Sequence, residues 1–494
     1  MITASLIFLP LIAGLIIYAV KDAQAKYFAL AAAIAEFILS LSALSSFTIS
    51  SNKQFELNTP WITSMSINFH VGMDGISLLL ALLTTFLVPL IILSAFRHNY
   101  SNNKLFYSLV LIMQSALIGV FVSYDAFLFY IFWELALIPI YFISLVWGGQ
   151  EKLKITFKFF VYTLVGSLFM LLGIIYLYLQ TPTHSFELAD FYALRLSREE
   201  QVFIFWAFFL AFAIKMPVFP FHTWQPDTYT SSPTQGTMLL SGIMLKMGVY
   251  GAIRWMIPIV PIAMDAPCCG MLAVVLAVIG IIYASIIALM QKDFKRMLAY
   301  VSMAHVGVIA AGVFTSNLDA LQGAVFQMLS HGVTVVGMFF VVDILLDRTK
   351  TSQISTLGGI RSVAPQFALY FIIILFGSIA LPLTSGFVGE FLIFVGLFKY
   401  SMSEMGGMLM IAIAALSIIL GAAYMLSSYQ KIMLGSINTV TSGFKDLVLS
   451  EKAVLVPIVV VIIWMGVYPK FFLEISEPAV KSITDHIINY TSLK

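Results

Sequence analysis

AFAIKMPVFPFHTWQPD, residues 211–227, opens as an apolar helix, carries Lys215, and then meets Pro217, Pro220 and Pro226 in quick succession. Each proline withholds a backbone donor and interrupts the helix before it. A second stretch repeats the arrangement: GSIALPLTSGFVGEFLIF, residues 377–394, places Pro382 and Gly386 ahead of Glu390. Backbone freed at membrane depth is tolerated only where protein or a wet cavity satisfies it. Paired broken helices at matching positions point to an internal repeat built around a transport site.

The surrounding chain is membrane material. It has 494 residues, 61% of them hydrophobic and 10% charged, with a mean hydropathy of +0.99, far from a soluble domain. Apolar runs long enough to cross a bilayer are expected at 2–20, 27–49, 74–96, 105–122, 125–147, 155–179, 201–220, 234–257, 271–290, 297–315, 319–346, 367–398, 408–432 and 453–473. The expected fold is an all-α polytopic membrane protein of about fourteen helices, with helices 7 and 12 broken. Because those two are five helices apart and five is odd, the reading is two inverted five-helix repeats. The whole chain, 1–494, is then one transmembrane domain: lead-in helices over 74–122, a first repeat of helices 4–8 over 105–257, a second of helices 9–13 over 271–432, and a last helix at 453–473.

The remaining composition excludes several functions. Loops are short, and the longest, 50–73 and 180–200, leave no room for a nucleotide-binding domain. The two cysteines, Cys268 and Cys269, are adjacent, so neither a disulfide framework nor an iron–sulfur ligand set can be built. No phosphate-cradling or haem-type motif occurs. The first helix lacks a basic lead-in and a cleavage site and is expected to be retained.

Lysines and arginines alternate between loops. Sixteen fall on the side that includes Lys21, Arg97, Lys104, Lys152, Arg296 and Lys452, and eight on the side of Lys53, Arg254, Lys470 and Lys494. The richer side is cytoplasmic, so both termini are expected outside.

Seven ionisable side chains lie within or just beyond these apolar spans: Glu134, Lys215, His222, Lys246, His305, His331 and Glu390. A charge in hydrocarbon costs several kcal/mol, about 2.5–3.5 on insertion scales, so such residues pair, face water and mark an ion path. The chain therefore reads as a proton conductor. Glu134 has no basic neighbour on its own helix and needs a cation from another, for which Lys215 is the candidate; the plainer reading is a structural ion pair. Lys246 lies too deep to reach an interface, and Gly242 and Tyr250 share its helical face. His305 and His331, on successive spans, each have a polar helical neighbour and suit a relay, although an intramembrane histidine can equally bridge two helices. No carboxylate or cysteine shares their spacing, so no metal site is expected. Glu36, mid-span, has no assignment, and Asp125, Asp343 and Lys158 lie near enough to span ends to be solvated or snorkelled.

The strings VGMDGISLLLALLTT from Val71, FLFYIFWELALIPIYF from Phe127, AFAIKMPVFPFHTWQPDTYTSSPTQGTMLLSGIMLKMGVYGAIR from Ala211, QKDFKRMLAYVSMAHVGV from Gln291, QMLSHG from Gln327 and GFVGEFLIF from Gly386 resemble the chain M family of bacterial NADH:quinone oxidoreductase. That enzyme is respiratory complex I, and chain M is the counterpart of mitochondrial chain 4. The likeness runs from about Val71 to Lys452. It departs at Trp224–Tyr229, WQPDTY, where the family continues WLPDAH.

The resemblance implies fourteen helices in two inverted repeats, Glu134 and Lys215 as a charged pair, Lys246 as the central proton-holding lysine, His222, His305 and His331 as connecting histidines, and Glu390 as the terminal carboxylate. It further implies no cofactor in this chain, with FMN, iron–sulfur clusters and quinone in partner subunits. The implied partners are the other membrane and peripheral-arm subunits, including neighbouring antiporter-like ones, and membrane lipids, with no nucleic acid. The expected location is a bacterial cytoplasmic membrane. The rival readings are a multisubunit sodium/proton antiporter or a membrane-bound hydrogenase subunit. Glu390 argues against the antiporter, whose subunits, like the other two large complex I chains, usually carry lysine on helix 12.

Overall fold

Apolar runs in hydrocarbon must close their own backbone hydrogen bonds, and here they do so as helices. The computed structural model describes residues 1–403 and 407–492. Its first part contains α1 (Ile2–Ile16), α2 (Ala25–Ser46), an antiparallel hairpin of β1 (Gln54–Ile62) and β2 (Ile67–Met73), α3 (Gly75–Ser94), α4 (Asn103–Val122), α5 (Ala126–Trp147), α6 (Lys152–Gln180), α7 (Leu188–Ala193) and α8 (Arg198–Lys215). There follow α9 (Gln225–Ser231), α10 (Thr234–Leu239), α11 (Leu245–Gly251), α12 (Pro261–Met264), α13 (Leu272–Met290), α14 (Phe294–Phe314), α15 (Leu318–Thr349) and α16 (Ile360–Val363). The chain closes with α17 (Pro365–Ser378), α18 (Ser385–Ser403), α19 (Gly407–Met433), α20 (Leu449–Val467) and α21 (Lys470–Ser492).

The fold is mostly helical, and among the described residues 12 helices are long and apolar enough to cross a membrane. The two remaining expected spans, 201–220 and 367–398, fall on broken elements. α8 stops at Lys215, and its freed end is satisfied locally: Val218 N donates to Ala213 O at 2.8 Å and Trp224 Nε1 to Ile214 O at 2.9 Å. The α17–α18 break is closed by Leu381 N on Phe376 O at 3.1 Å and by the Thr384 hydroxyl on Leu381 O at 2.6 Å.

A third span is irregular, though its sequence reads as a plain helix. Between Thr234 and Met256, α10 and α11 are joined and followed by π-helical turns at Leu240–Met244 and Ala252–Met256. Such turns rotate the side chains beyond them and recur at functional sites. This span and the 32-residue α15 form the buried centre of the molecule, whereas α6 and α19 present Leu168, Phe169, Leu172, Leu409 and Ile419 outward.

Two elements replace expected loop or tail. Residues 54–73 form the hairpin, registered by Leu57 against Val71 and Thr59 against Phe69. His70 pins it by bonding both Glu56 and Glu187. Burial pushes the Glu187 carboxyl up, but hydrogen bonds from His70 and Asn68 outweigh it and hold the group below the usual carboxylate range. α21 is amphipathic, burying Ile475, Ala479, Val480 and Ile483, and Gln322 of α15 donates to Leu473 O at 2.8 Å.

Several basic residues of the richer set are held by carboxylates. Arg97 bridges Asp347 and Glu451, Arg348 reaches Glu451 at 2.7 Å, and Lys158 and Arg296 share Asp227 at 3.3 and 3.0 Å. Arg254 of the poorer set is no loop charge. It is buried in an ion pair with Asp74, between the rings of Tyr124 and Tyr250. Lys494, counted in the same set, lies outside the described residues.

Candidate functional site

Lys246 on α11 is buried among helices. Its Nζ donates to Ser241 O at 2.6 Å, a carbonyl turned toward it by the π-helical segment, and contacts His331 Nδ1 at 2.8 Å. His331 on α15 presents its other nitrogen, Nε2, to Ser302 Oγ of α14 at 3.2 Å. With the lysine as donor, Nδ1 accepts and Nε2 carries the ring proton toward the serine. A proton entering at one ring nitrogen releases another at the opposite side.

His305, one turn beyond Ser302 on α14, stands edge-on to His331 with ring centroids 5.9 Å apart. The two rings, Ser302, Thr334 and Ser378 border a cavity of about 10 Å³. That is close to the volume needed for one water, and the buried Thr334 hydroxyl beside it has no hydrogen-bond partner among the described residues.

Glu134 on α5 and Lys215 at the end of α8 lie within electrostatic reach of one another. They do not form a contact ion pair among the described residues: Glu134 Oε1 and Lys215 Nζ are both buried without a hydrogen-bond partner. Lys215 instead lies over the Trp133 ring, 5.1 Å from its centroid, a favourable seat for a cation. Gly248 brings α11 against this site, since a Cβ there would sit 2.9 Å from Phe212 O and 3.1 Å from Lys215 Cβ.

Glu390 on α18 is buried and accepts from Gln327 Nε2 of α15 at 3.4 Å. Gln327 is one turn from His331 on the same helix. Between them Ser330 donates to Ser385 Oγ of α18 at 2.8 Å, so α15 carries polar groups from the lysine–histidine contact toward the carboxylate.

The geometry thus joins Lys246, His331 and Ser302 directly, sets His305 beside His331, places Glu390 against Gln327 one turn along α15, and leaves Glu134 and Lys215 as a separated charge pair. His222 is apart. Its ring packs on Phe219 and Tyr283, and its Nδ1 has no hydrogen-bond partner among the described residues. Glu36 on α2 is fully buried, with both carboxyl oxygens lacking a hydrogen-bond partner among the described residues. Asp125 and Asp343, which sequence position marks as solvated, are both buried. Asp125 caps α5, accepting from Phe127 N and Leu128 N at 2.9 Å, and Asp343 bonds His98 and Gln235. Gln327, the polar helical neighbour of His331 in the sequence, turns out to bond Glu390, whereas sequence reading missed Ser241 and Trp133, because each meets its partner through local backbone geometry or from another helix.

Two family models cover the chain: "NADH-ubiquinone oxidoreductase chain 4, amino terminus" matches residues 6–120 and "NADH:quinone oxidoreductase/Mrp antiporter, TM" matches 123–417. The chain is 39% identical over 487 residues to NADH-quinone oxidoreductase subunit M of Rickettsia prowazekii, covering 97% of each. It superimposes on a chain of respiratory complex I from Thermus thermophilus with a TM-score of 0.91 and 30% identity, over 99% of this chain and all of that one. A chain of the Mrp complex from Dietzia shares the fold at a TM-score of 0.85, but at 15% identity and over 55% of its own length. Identity across the whole length, together with both family matches, places this chain in the subunit M (chain 4) family of NADH:quinone oxidoreductases.

Proposed function

We propose that this chain is the proton-translocating membrane subunit M of an NADH:quinone oxidoreductase, with Lys246 as its central proton carrier. The observation that carries the reading is the buried Lys246–His331–Ser302 line in a member of this family. His305 and Glu390 continue the line, His222 adds a further titratable group at the first broken helix, and the Glu134–Lys215 charges bias it. One unit charge beyond 4 Å acts with less than about 4 kcal/mol at an effective dielectric near 20. Moving a proton against 150 mV requires about 3.5 kcal/mol at 2.3 kcal/mol per 100 mV. Displacement of the Glu134–Lys215 pair is therefore of the same order as that requirement at closest approach and falls below it as the charges separate, so the pair biases the proton on Lys246 and does not supply the whole drive.

The reading places flavin, iron–sulfur and quinone chemistry in partner subunits, and puts this chain in a bacterial cytoplasmic membrane beside other antiporter-like chains, with both termini outside. It treats helices 4–8 (105–257) and 9–13 (271–432) as inverted repeats, each with one broken helix, between lead-in helices and the last helix at 453–473. The test is a tagged chain run on a native gel stained for NADH oxidation, followed by proton uptake in vesicles carrying Lys246→Ala. NADH activity in the tagged band with loss of pumping in the variant is expected. A smaller, NADH-inactive assembly moves the assignment to an antiporter complex, and unchanged pumping ends the role of Lys246.

A further inference from the structure

Two polar side chains on α4 have no hydrogen-bond partner among the described residues. The Tyr107 hydroxyl and both ends of the Gln114 amide are buried without a hydrogen bond, each residue sealed from the surface. Buried polar groups are overwhelmingly bonded, so two orphans on one helix require an explanation.

They share a face. Residues 107, 114 and 121 recur every two turns and form one stripe along α4. Phe121 shows where that stripe points: its ring stands edge-on to Tyr250 of α11, with centroids 5.5 Å apart. Lys246 is one turn before Tyr250 on the same face of α11. Tyr100, just before α4, bonds Gln235 at the start of α10, so α4 and the central span run parallel. By helical rise Gln114 lies roughly 10 Å, and Lys246 roughly 6 Å, from the Phe121–Tyr250 contact in the same direction.

Tyr107 continues the stripe toward the end of α4 that adjoins Tyr100. It bears electrostatically on Tyr100, whose hydroxyl donates to Gln235 Oε1 at 2.6 Å. Gln235 Nε2 donates to Asp343 Oδ2 at 3.3 Å, and His98 Nε2 bonds the same oxygen at 2.9 Å. His98, Tyr100, Gln235, Lys295 and Asp343 border an open recess of about 380 Å³.

We propose that these groups form the entry route by which protons reach Lys246 from that face, passing His98 and Asp343, then Gln235 and Tyr100, then Tyr107 and Gln114. The proposal rests on the function given above and deepens it by naming the supply side. A histidine–carboxylate pair at the recess takes up a proton near neutral pH. Each tyrosine hydroxyl accepts one proton from a water on one side as it gives up its own to a water on the other, and the two glutamines, which carry no exchanging proton themselves, hold those waters in line. One proton enters at His98, one arrives at Lys246, and no electron moves.

The test uses the assembled complex in inverted membrane vesicles. NADH-driven proton uptake is compared for Tyr107→Phe, Gln114→Leu, Gln114→Glu and Lys246→Ala, each normalised to NADH oxidation by an artificial acceptor. Tyr107→Phe and Gln114→Leu are expected to slow uptake several-fold, with the loss deepening as pH on the entry side rises, a response absent from a packing defect. Gln114→Glu is expected to recover most of it. If both substitutions pump at the parental rate while Lys246→Ala does not, the route is wrong and the function of the chain stands. If Lys246→Ala also pumps at the parental rate, the function and the route fall together. Should Gln114→Leu fail to assemble, Tyr107→Phe, which removes a single oxygen, decides alone.

Discussion

Lys246 Nζ lies 2.8 Å from His331 Nδ1, a contact between two titratable side chains buried on different helices. A lysine here can bind and release a proton, whereas an arginine stays charged at any accessible pH. Lys246→Arg should therefore block proton movement as fully as Lys246→Ala, by roughly 10²–10⁴-fold in the step, the usual contribution of a positioned acid–base group. Vesicle proton uptake per NADH oxidised checks this; an active arginine variant would show that charge alone suffices.

Ser302 receives the other side of the same imidazole at 3.2 Å. Ser302→Ala removes that partner at a cost of about 1 kcal/mol, or roughly five-fold in a rate limited by the transfer. Its effect should vanish when His331 is already replaced, because the hydroxyl acts through that ring, and a double-mutant cycle on pumping rate reads this directly.

Gly389 faces Gln327, and a Cβ there would meet Gln327 Oε1 and lie 2.8 Å from Gln327 Cβ. Gly389→Ala should cost about 1–3 kcal/mol through overpacking and displace Gln327 from Glu390. Lower thermal stability of the assembled complex together with slower pumping is expected; wild-type values for both would refute the contact.

The buried Arg254–Asp74 pair ties the central span to the start of α3. Arg254→Met leaves a buried carboxylate alone and should destabilise the fold by about 3–5 kcal/mol. Adding Asp74→Leu should recover most of that, short of about 1 kcal/mol for the lost cap on Ile76 N and Ser77 N. Complex yield and thermal inactivation compare the single and double variants.

Glu187 sets the acid limit of the hairpin. Its folded-state value lies below the ordinary 4.5, so its stabilisation is complete above that pH and is lost as pH falls through the lower folded value. Protection of residues 54–73 from hydrogen exchange should drop as pH falls below 4.5, and Glu187→Gln should remove that drop.

Much of this molecule follows from local chemistry. Hydrocarbon leaves a polar backbone no partner but itself, so apolar runs must become helices; the clustered prolines after Lys215 and the proline and glycine before Glu390 favour breaks in two of them, while single prolines such as Pro10, Pro89 and Pro139 are carried inside continuous helices. The membrane class, most spans, the broken pair and the buried ionisable residues are consequently properties of short stretches of sequence. The contacts are not. Whether Lys246 meets His331, whether Glu134 touches Lys215 or only faces it, and whether Arg254 and Asp343 are solvated or buried depend on how helices distant in sequence rotate against one another. The π-helical turns at Leu240–Met244 and Ala252–Met256 add a rotation that an apolar sequence does not announce, and close approaches such as Gly389 to Gln327 select the register. Hydrophobic burial tells each helix to enter the bilayer but treats its lipid and protein neighbours almost alike, so only packing and interhelical hydrogen bonding in the tertiary structure decide which polar groups meet.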